Sequence, residues 1–164
     1  MSLLKPDIYA AKITDITLSM LSDNGIKGLL LDIDNTSAKR KVHEPMEGFE
    51  NWLQEMKQNS IQIMFLSNAN PKRVRPFAEK IGLPFYYFTC KPFPLRILLA
   101  AKRLGVPVKH IALVGDQIFT DIIGGNLSFM KTVLVDPIEL EDGLNYKIKR
   151  YLERKIMKNF KKSS

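Results

Sequence analysis

The stretch Gly28-Leu29-Leu30-Leu31-Asp32-Ile33-Asp34 constrains this chain more than any other, because an uncharged apolar run climbs directly into two carboxylates one residue apart. An uninterrupted run of this kind reads as a strand buried on both faces, the state of a central strand in a parallel sheet. In an open α/β sheet, ligands gather beyond the carboxyl ends of the strands, which is where Asp32 and Asp34 would emerge. Alternation puts the two acids on one side of an extended chain, with Ile33 turned away. Such a pair repels and resists desolvation, and a divalent cation is the simplest compensation. Asp, Asn and Thr also favour ordinary turns, so Asp34-Asn35-Thr36 alone decides nothing.

The rest of the chain repeats the pattern. Residues 1–26 hold a Pro-Asp start and a short helix around Ile16 to Leu21, ended by Asp23-Asn24-Gly25, and strand one then runs to Ile33. Phe49, Trp52, Leu53 and Met56 recur at helical spacing between Pro45 and Asn59, and Trp52 reads as core. Ile61 to Leu66 is a second buried strand, delivering Ser67-Asn68-Ala69-Asn70. Pro71 opens a helix that Gly82 closes. A short strand from Pro84 to Phe88 leads to Thr89-Cys90-Lys91-Pro92, and Leu95 to Leu104 is helical. His110 to Val114 delivers Gly115-Asp116-Gln117 and Thr120-Asp121; a helix weakened by Gly124-Gly125, a strand from Thr132 to Val135 and a helix from Leu144 complete the chain. Strands alternating with helices imply parallel βαβ units, hence a three-layer α/β/α sandwich with a mainly parallel, Rossmann-like sheet. One rim of that sheet collects Asp32, Ser67, Lys91 and Asp116.

Those residue types supply what phosphoryl transfer needs. A carboxylate can attack phosphorus to form an aspartyl-phosphate, and a second can protonate the leaving oxygen and then activate water. A carboxylate-held cation screens the approach of one anion to another. A hydroxyl and an ammonium can hold the remaining phosphate oxygens.

In these positions the chain resembles the haloacid dehalogenase (HAD) phosphatase superfamily. Asp32-Ile33-Asp34-Asn35-Thr36 is similar to its first motif, Ser67 to the second, Lys91-Pro92 to the third, and Gly115-Asp116 with Asp121 to the fourth, over roughly residues 27–136. The resemblance implies Asp32 as nucleophile and Asp34 as general acid/base, with Ser67, Asn68 and Lys91 binding phosphate. It implies magnesium as cofactor, held by Asp32, Asp34 (through its main-chain carbonyl) and Asp116, with Thr36 and Asp121 in support. Two positions depart from the usual pattern: Ser37 stands where an apolar residue is common, and Ala69 where a second Asn is frequent. Thirty residues separate Thr36 from Ser67 and 23 separate Ser67 from Lys91, which leaves no room for a large cap domain.

More narrowly, Pro6-Asp7-Ile8-Tyr9, Gly25-Ile26-Lys27-Gly28, Ser67-Asn68-Ala69 and Arg73-Val74 resemble the YqeG family of subfamily IIIA. That family is similar to mitochondrial phosphatases of phosphatidylglycerophosphate, which implies a lipid phosphate substrate. The reading is a magnesium-dependent phosphomonoesterase acting on a glycerophospholipid phosphate. The alternatives are a phosphatase of soluble sugar or nucleotide phosphates, and a phosphate- or anionic-surface-binding module with negligible turnover.

Charge separates the body from the tail. Of a net +8, residues 143–164 carry +7, from eight basic residues and the single acid Glu153, while residues 1–142 hold 17 basic and 16 acidic side chains. The division is therefore 1–142 as the phosphatase domain and 143–164 as a basic amphipathic helix, either part of that domain or a surface-docking tail. Leu144, Ile148, Leu152, Ile156 and Phe160 form an apolar row beside a basic row of Lys147, Arg150, Arg154, Lys158 and Lys161. Such a helix either packs on the sheet or docks peripherally on an anionic membrane; nucleic acid would also attract it, but no recognition motif is present. No apolar run approaches the ~20 residues of a membrane span, and the N-terminus lacks a signal-peptide core, so a cytoplasmic chain is expected, peripheral at the inner membrane face if the helix docks there. Cys90, the only cysteine, excludes an internal disulfide and is expected to pack rather than react. His43 and His110 lack ligand spacing and are expected at the surface or at strand edges. Oligomeric state is left open.

Overall fold

A computed structural model describes residues 2–39, 44–139 and 143–158. Six strands form one sheet, β1 (Ile8–Ala10), β2 (Gly28–Leu31), β3 (Gln62–Leu66), β4 (Phe85–Tyr86), β5 (Ile111–Gly115) and β6 (Lys131–Val135), in the order β1-β6-β5-β2-β3-β4. Every pairing is parallel. The helices are α1 (Leu18–Asp23), α2 (Phe49–Gln58), α3 (Pro71–Ile81), α4 (Pro94–Leu104), α5 (Ile123–Leu127) and α6 (Leu144–Met157). This is the expected three-layer α/β arrangement.

β2 is central for the reason its sequence suggests: all four of its residues are buried. Leu29 and Leu31 point into the layer that holds Phe49, Met56, Val74 and Phe77 from α2 and α3. Leu30 points the other way, into a cluster with Ile97, Ala100 and Ala101 of α4. Phe65 on β3, fully buried, packs against Phe49 and Phe77 at ring-centroid distances of 6.3 and 5.2 Å. Truncating such a ring to alanine removes about 3–5 kcal/mol. Trp52 is core as expected, and its indole N–H donates to the Ile16 carbonyl at 2.8 Å.

The sheet order reverses direction beside β2, with β3 and β4 on one side and β5, β6 and β1 on the other. Leu31 is in register with both Phe65 and Val114, so the residues that follow these strands leave the sheet at one level.

Several boundaries differ from expectation. The N-terminal segment contributes strand β1, too short to show as a pattern in the sequence, and its first helix begins at Leu18 after a short helical turn at Ile13–Asp15. Strand β2 ends at Leu31 rather than Ile33, because the Ile33 carbonyl accepts from Thr36, Ser37 and Ala38 main-chain N–H groups at 3.3, 3.1 and 3.0 Å and coils the chain tightly. The helix after β5 is split into a wide turn at Ile118–Ile122 and the short α5. Gly124 and Gly125, read as weakening a helix, serve close packing: a Cβ on Gly124 would sit 2.8 Å from Ile97, and one on Gly125 2.5 Å from Thr132. Cys90 is exposed rather than packed, in a loop where it takes a positive φ of 54°. His110 ends a short turn with its Nδ1 2.7 Å from the Gly25 carbonyl, and His43 lies outside the described residues.

Among the described residues no helix is long and apolar enough to cross a membrane. Helix α6 meets the body of the protein through charged side chains and leaves much of its apolar row outward. Leu144, Ile148 and Leu152 are 74%, 51% and 44% exposed, whereas Arg150 and the buried Glu153 face the protein. Among the described residues of that row only Ile156, with its neighbour Met157, turns inward, onto Ile118, Ile122 and Leu134. Phe160 and Lys161 lie outside the described residues.

Candidate active site

The carboxyl ends of β2, β3 and β5, with the loop before α4, open into a cleft of about 380 Å³. Asp32, Asp34, Ser67, Asn68, Lys91 and Asp121 all line it. Asp116 and Thr36 are buried just behind, joined by a hydrogen bond from the Thr36 hydroxyl to Asp116 Oδ1 at 3.3 Å.

Asp32 continues β2 by one residue, its N–H donating to the Val114 carbonyl at 2.9 Å. The chain then coils back on itself at Asn35, whose positive φ of 62° an asparagine tolerates better than most residues. Ser37, where an apolar residue is more usual, is buried and donates its hydroxyl to the Asp32 carbonyl at 2.7 Å, bracing the backbone that carries the acid.

Lys91 is the centre of the charge network. Its ammonium lies 2.5 Å from Asp32 Oδ1 and 2.7 Å from Asp121 Oδ1, and it also donates to the Leu66 carbonyl at 3.3 Å. Burial alone would push the Lys91 ammonium toward losing its proton, but Asp121 and Asp32 outweigh it and hold the pKa above the ordinary lysine value. Asn68 positions this lysine: its Oδ1 accepts from the Thr89 hydroxyl at 2.7 Å and the Lys91 N–H at 2.8 Å, and its Nδ2 donates to the Lys91 carbonyl at 3.3 Å. Ser67 presents its hydroxyl at the tip of β3, where Oγ accepts from the Ala69 N–H at 3.1 Å. The approach of Asp121 to β5 requires a glycine at 115, because a Cβ there would come 2.2 Å from the Asp121 carboxyl carbon.

Asp34 stands apart from the buried acids, on the open side of the cleft, and accepts from Arg73 Nη2 of α3 at 2.5 Å. Arg73 is placed by the start of that helix, where the Asn70 side chain caps the Arg73 N–H at 3.1 Å.

Asp32, Asp116 and Asp121 each offer a carboxylate oxygen, all within 4.8 Å of one another. Burial drives the Asp32 pKa well above the ordinary carboxylate range, with Lys91 opposing and Asp121 and Asp116 reinforcing it. Burial likewise pushes the Asp116 carboxyl up to about 7 although Arg150 pulls it down. Counted as ions, Asp32, Asp116, Asp121 and Glu153 exceed their partners Lys91 and Arg150 by two negative charges. A cluster of hard oxygen donors with that deficit could hold a divalent cation.

Two basic residues at this site were not legible as site residues. Arg150 belongs to the basic row of α6, and its guanidinium pairs with Asp116 Oδ2 and with Glu153 at 3.0 Å. Glu153 in turn accepts from the Ile118 N–H at 2.9 Å, which ties α6 to the segment after β5. The available signal was Glu153 itself, the lone acid in a strongly basic tail. Tyr146, Gln117 and Thr120 also reach the cleft wall. Arg73 was visible only as part of a family resemblance and had no role assigned.

Residues 23–127 match the family model of the haloacid dehalogenase-like hydrolases. The chain is 32% identical over 157 residues to the "Probable phosphatase YqeG" of Bacillus subtilis (strain 168), covering 96% of this chain and 91% of that one. Its fold is similar to the cobalt-bound deoxy-D-mannose-octulosonate 8-phosphate phosphatase of Haemophilus influenzae, with a TM-score of 0.53 at 14% identity over 82% of this chain and 89% of that one. It is also similar to an uncharacterized protein of Listeria monocytogenes serotype 4b, with a TM-score of 0.56 at 14% identity over 66% and 78% of the two chains.

Proposed function

Since the chain belongs to the haloacid dehalogenase-like hydrolases and is a phosphatase, we propose that it hydrolyses a phosphomonoester through an aspartyl-phosphate on Asp32, with magnesium as cofactor. The observation that carries this reading is the sharing of one ammonium, that of Lys91, between Asp32 at 2.5 Å and Asp121 at 2.7 Å, in a cleft that also holds Ser67 and Asp34.

An Asp32 oxygen attacks phosphorus as the bond to the ester oxygen breaks, and the carboxylic acid form of Asp34 gives its proton to that oxygen. Asp34, now a carboxylate, takes a proton from water as the water oxygen attacks the aspartyl-phosphate, releasing inorganic phosphate and restoring Asp32. Ser67 and Lys91 hold the non-reacting phosphate oxygens, Asp121 and Asn68 keep Lys91 in position, and Thr36 keeps Asp116 oriented. Asp32 and Asp116, with the Asp34 main-chain carbonyl, would hold the magnesium, which supplies charge compensation between nucleophile and phosphate.

For the substrate we propose a glycerophospholipid phosphate, phosphatidylglycerophosphate in particular. Support comes from α6, whose Tyr146 lines the cleft while Leu144, Ile148, Tyr151 and Leu152 are exposed beside Lys147 and Lys155. One helix thus borders the cleft and offers an apolar, basic face suited to peripheral contact with an anionic bilayer.

The test is phosphate release from phosphatidylglycerophosphate by the purified protein, with magnesium or with excess chelator. Turnover should require magnesium and vanish in Asp32→Asn, which keeps the shape of the side chain but not its nucleophilicity. Undiminished turnover by that variant, free of contaminating phosphatase, would refute the covalent mechanism.

A further inference from the structure

Among the described residues, the two cations that line the cleft, Lys91 and Arg73, sit at different depths. The Lys91 side chain is 3% exposed and engaged by Asp32 and Asp121, on the side where the scissile phosphate would sit. The Arg73 side chain is 32% exposed and lies against Asp34, itself 25% exposed. A phosphate needs one oriented cation beside its nucleophile, and Lys91 meets that need. Arg73 is in the wrong place for it.

Asp34 fixes what Arg73 faces. An acid that protonates the leaving oxygen must lie against that oxygen, and Arg73 Nη2 is 2.5 Å from Asp34 Oδ1. A hydrogen bond of ~2.8 Å from the acid to the ester oxygen, added to the 2.5 Å contact of the same carboxyl oxygen with Arg73, puts the guanidinium within about 5 to 6 Å of the ester oxygen, on the leaving-group side. An anionic group whose charged oxygens lie about four to six bonds along the leaving group falls within that reach. The guanidinium is a planar fork suited to the paired oxygens of a carboxylate or phosphodiester. Its mount is firm, since Arg73 occupies the first turn of the eleven-residue α3 with its N–H capped by Asn70.

We propose that Arg73 forms a leaving-group subsite for a second anion, so that the preferred substrates carry a phosphodiester or carboxylate near the ester oxygen as well as the scissile phosphate. This rests on the phosphatase reading above and deepens it. It makes Arg73 a specificity residue whose contact with Asp34 is rearranged when such a substrate enters.

The test uses three matched three-carbon phosphomonoesters: propane-1,3-diol monophosphate, 3-phosphooxypropanoate, and the diol monophosphate bearing a methyl phosphodiester on its far oxygen. With magnesium, the wild-type protein should prefer the two anionic esters by roughly tenfold to a hundredfold in kcat/KM, mainly through KM, the range of a hydrogen bond to a charged group. Arg73→Gln should bring that ratio close to one, and Arg73→Lys should fall between. A variant too slow for turnover is read by calorimetric binding of the same esters, where the advantage of the anion must vanish likewise. The better of the two anionic esters tells a lipid-headgroup diester from an acid-sugar carboxylate. Equal kcat/KM for all three in the wild type, or a ratio that survives in Arg73→Gln while kcat falls uniformly, overturns the subsite and leaves the phosphatase reading intact. Failure of the wild type to turn over any of the three overturns both.

Discussion

Replacing Arg150 by methionine keeps much of the side chain's bulk and removes the charge that faces Asp116. Asp116 has a fully buried side chain and Arg150 one that is 14% exposed, so the pair is largely withdrawn from water. Removing one partner of a buried ion pair typically destabilises a protein by about 3–5 kcal/mol, because the other charge is left uncompensated. The lower end applies, about 3 kcal/mol at pH 8, because Asp116 can escape part of the penalty by taking a proton. For a chain of this size ~1 kcal/mol moves the melting temperature by about 2–4 °C, so the loss is roughly 6–12 °C. That loss is expected in chelator. At saturating magnesium the cation makes up the charge deficit, and the deficit of the variant should shrink to about 1 kcal/mol. By linkage, a difference of ~2 kcal/mol means that the variant binds magnesium about thirtyfold more tightly than the parent. Urea denaturation with chelator and with magnesium measures both quantities, with the exposed Lys155→Met as a control expected to stay within about 0.5 kcal/mol. An equal deficit in chelator and in magnesium would show that Arg150 merely anchors α6 and has no electrostatic link to the metal cluster.

The raised pKa of Asp116, about 7 against an ordinary 3.8, makes the stability of the chelated protein fall as pH rises. The folded state binds the extra proton, so this contribution is complete below pH 4 and lost through pH 7, at most about 4 kcal/mol at ~1.4 kcal/mol per unit. Urea midpoints in chelator that stay flat or climb from pH 5 to 8 would contradict it, and added magnesium should stabilise more as pH rises, since it needs ionised ligands. Co-sedimentation with anionic vesicles at low salt should retain the parent and lose a folded variant with Lys147, Arg154, Lys155 and Lys158 changed to Gln. The four charges contribute at most about 4 kcal/mol. Equal binding by parent and variant, or none by the parent, would remove the membrane role.

The rim residues were legible because their signal is local. Asp32, Ser67 and Asp116 each follow an apolar run, and a parallel sheet brings such positions together without any further information. The orientation of helix α6, which the pattern left open between packing on the sheet and docking on a membrane, was not legible for a physical reason. Periodicity assumes that the apolar row faces inward, but the buried Asp116 carboxylate and the Ile118 N–H need partners, and Arg150 and Glu153 supply them. The accompanying loss is visible in the exposed Leu144 and Ile148. Strand β1 was missed because three residues carry too little pattern, and its place depends on β6, more than 120 residues away, through pairs such as Ile8 with Val133. Cys90 was misplaced because residue-type statistics say nothing of a loop whose backbone turns its side chain outward. The proximity of Arg73 to Asp34 joins a helix start to a strand end, which spacing alone cannot reveal.

The pairing of β1 with β6 also sets a timetable for synthesis. Asp7 accepts from the Thr132 N–H at 2.9 Å, and the Asn126 side chain donates to the Leu3 carbonyl at 2.9 Å, so the start of the chain is held by segments made near its end. At about 5–20 residues per second, the first strand waits roughly 6–25 s on the ribosome for its neighbour. Arg150 follows later still. The nascent chain therefore carries its acidic cluster without its last counter-charge until Arg150 has emerged, and the edge of β5 that β6 will cover stays open until β6 has been made. Contacts this distant along the chain slow folding and prolong exposure of that edge, which makes the interval one in which a chaperone, or a neighbouring nascent chain, can intervene.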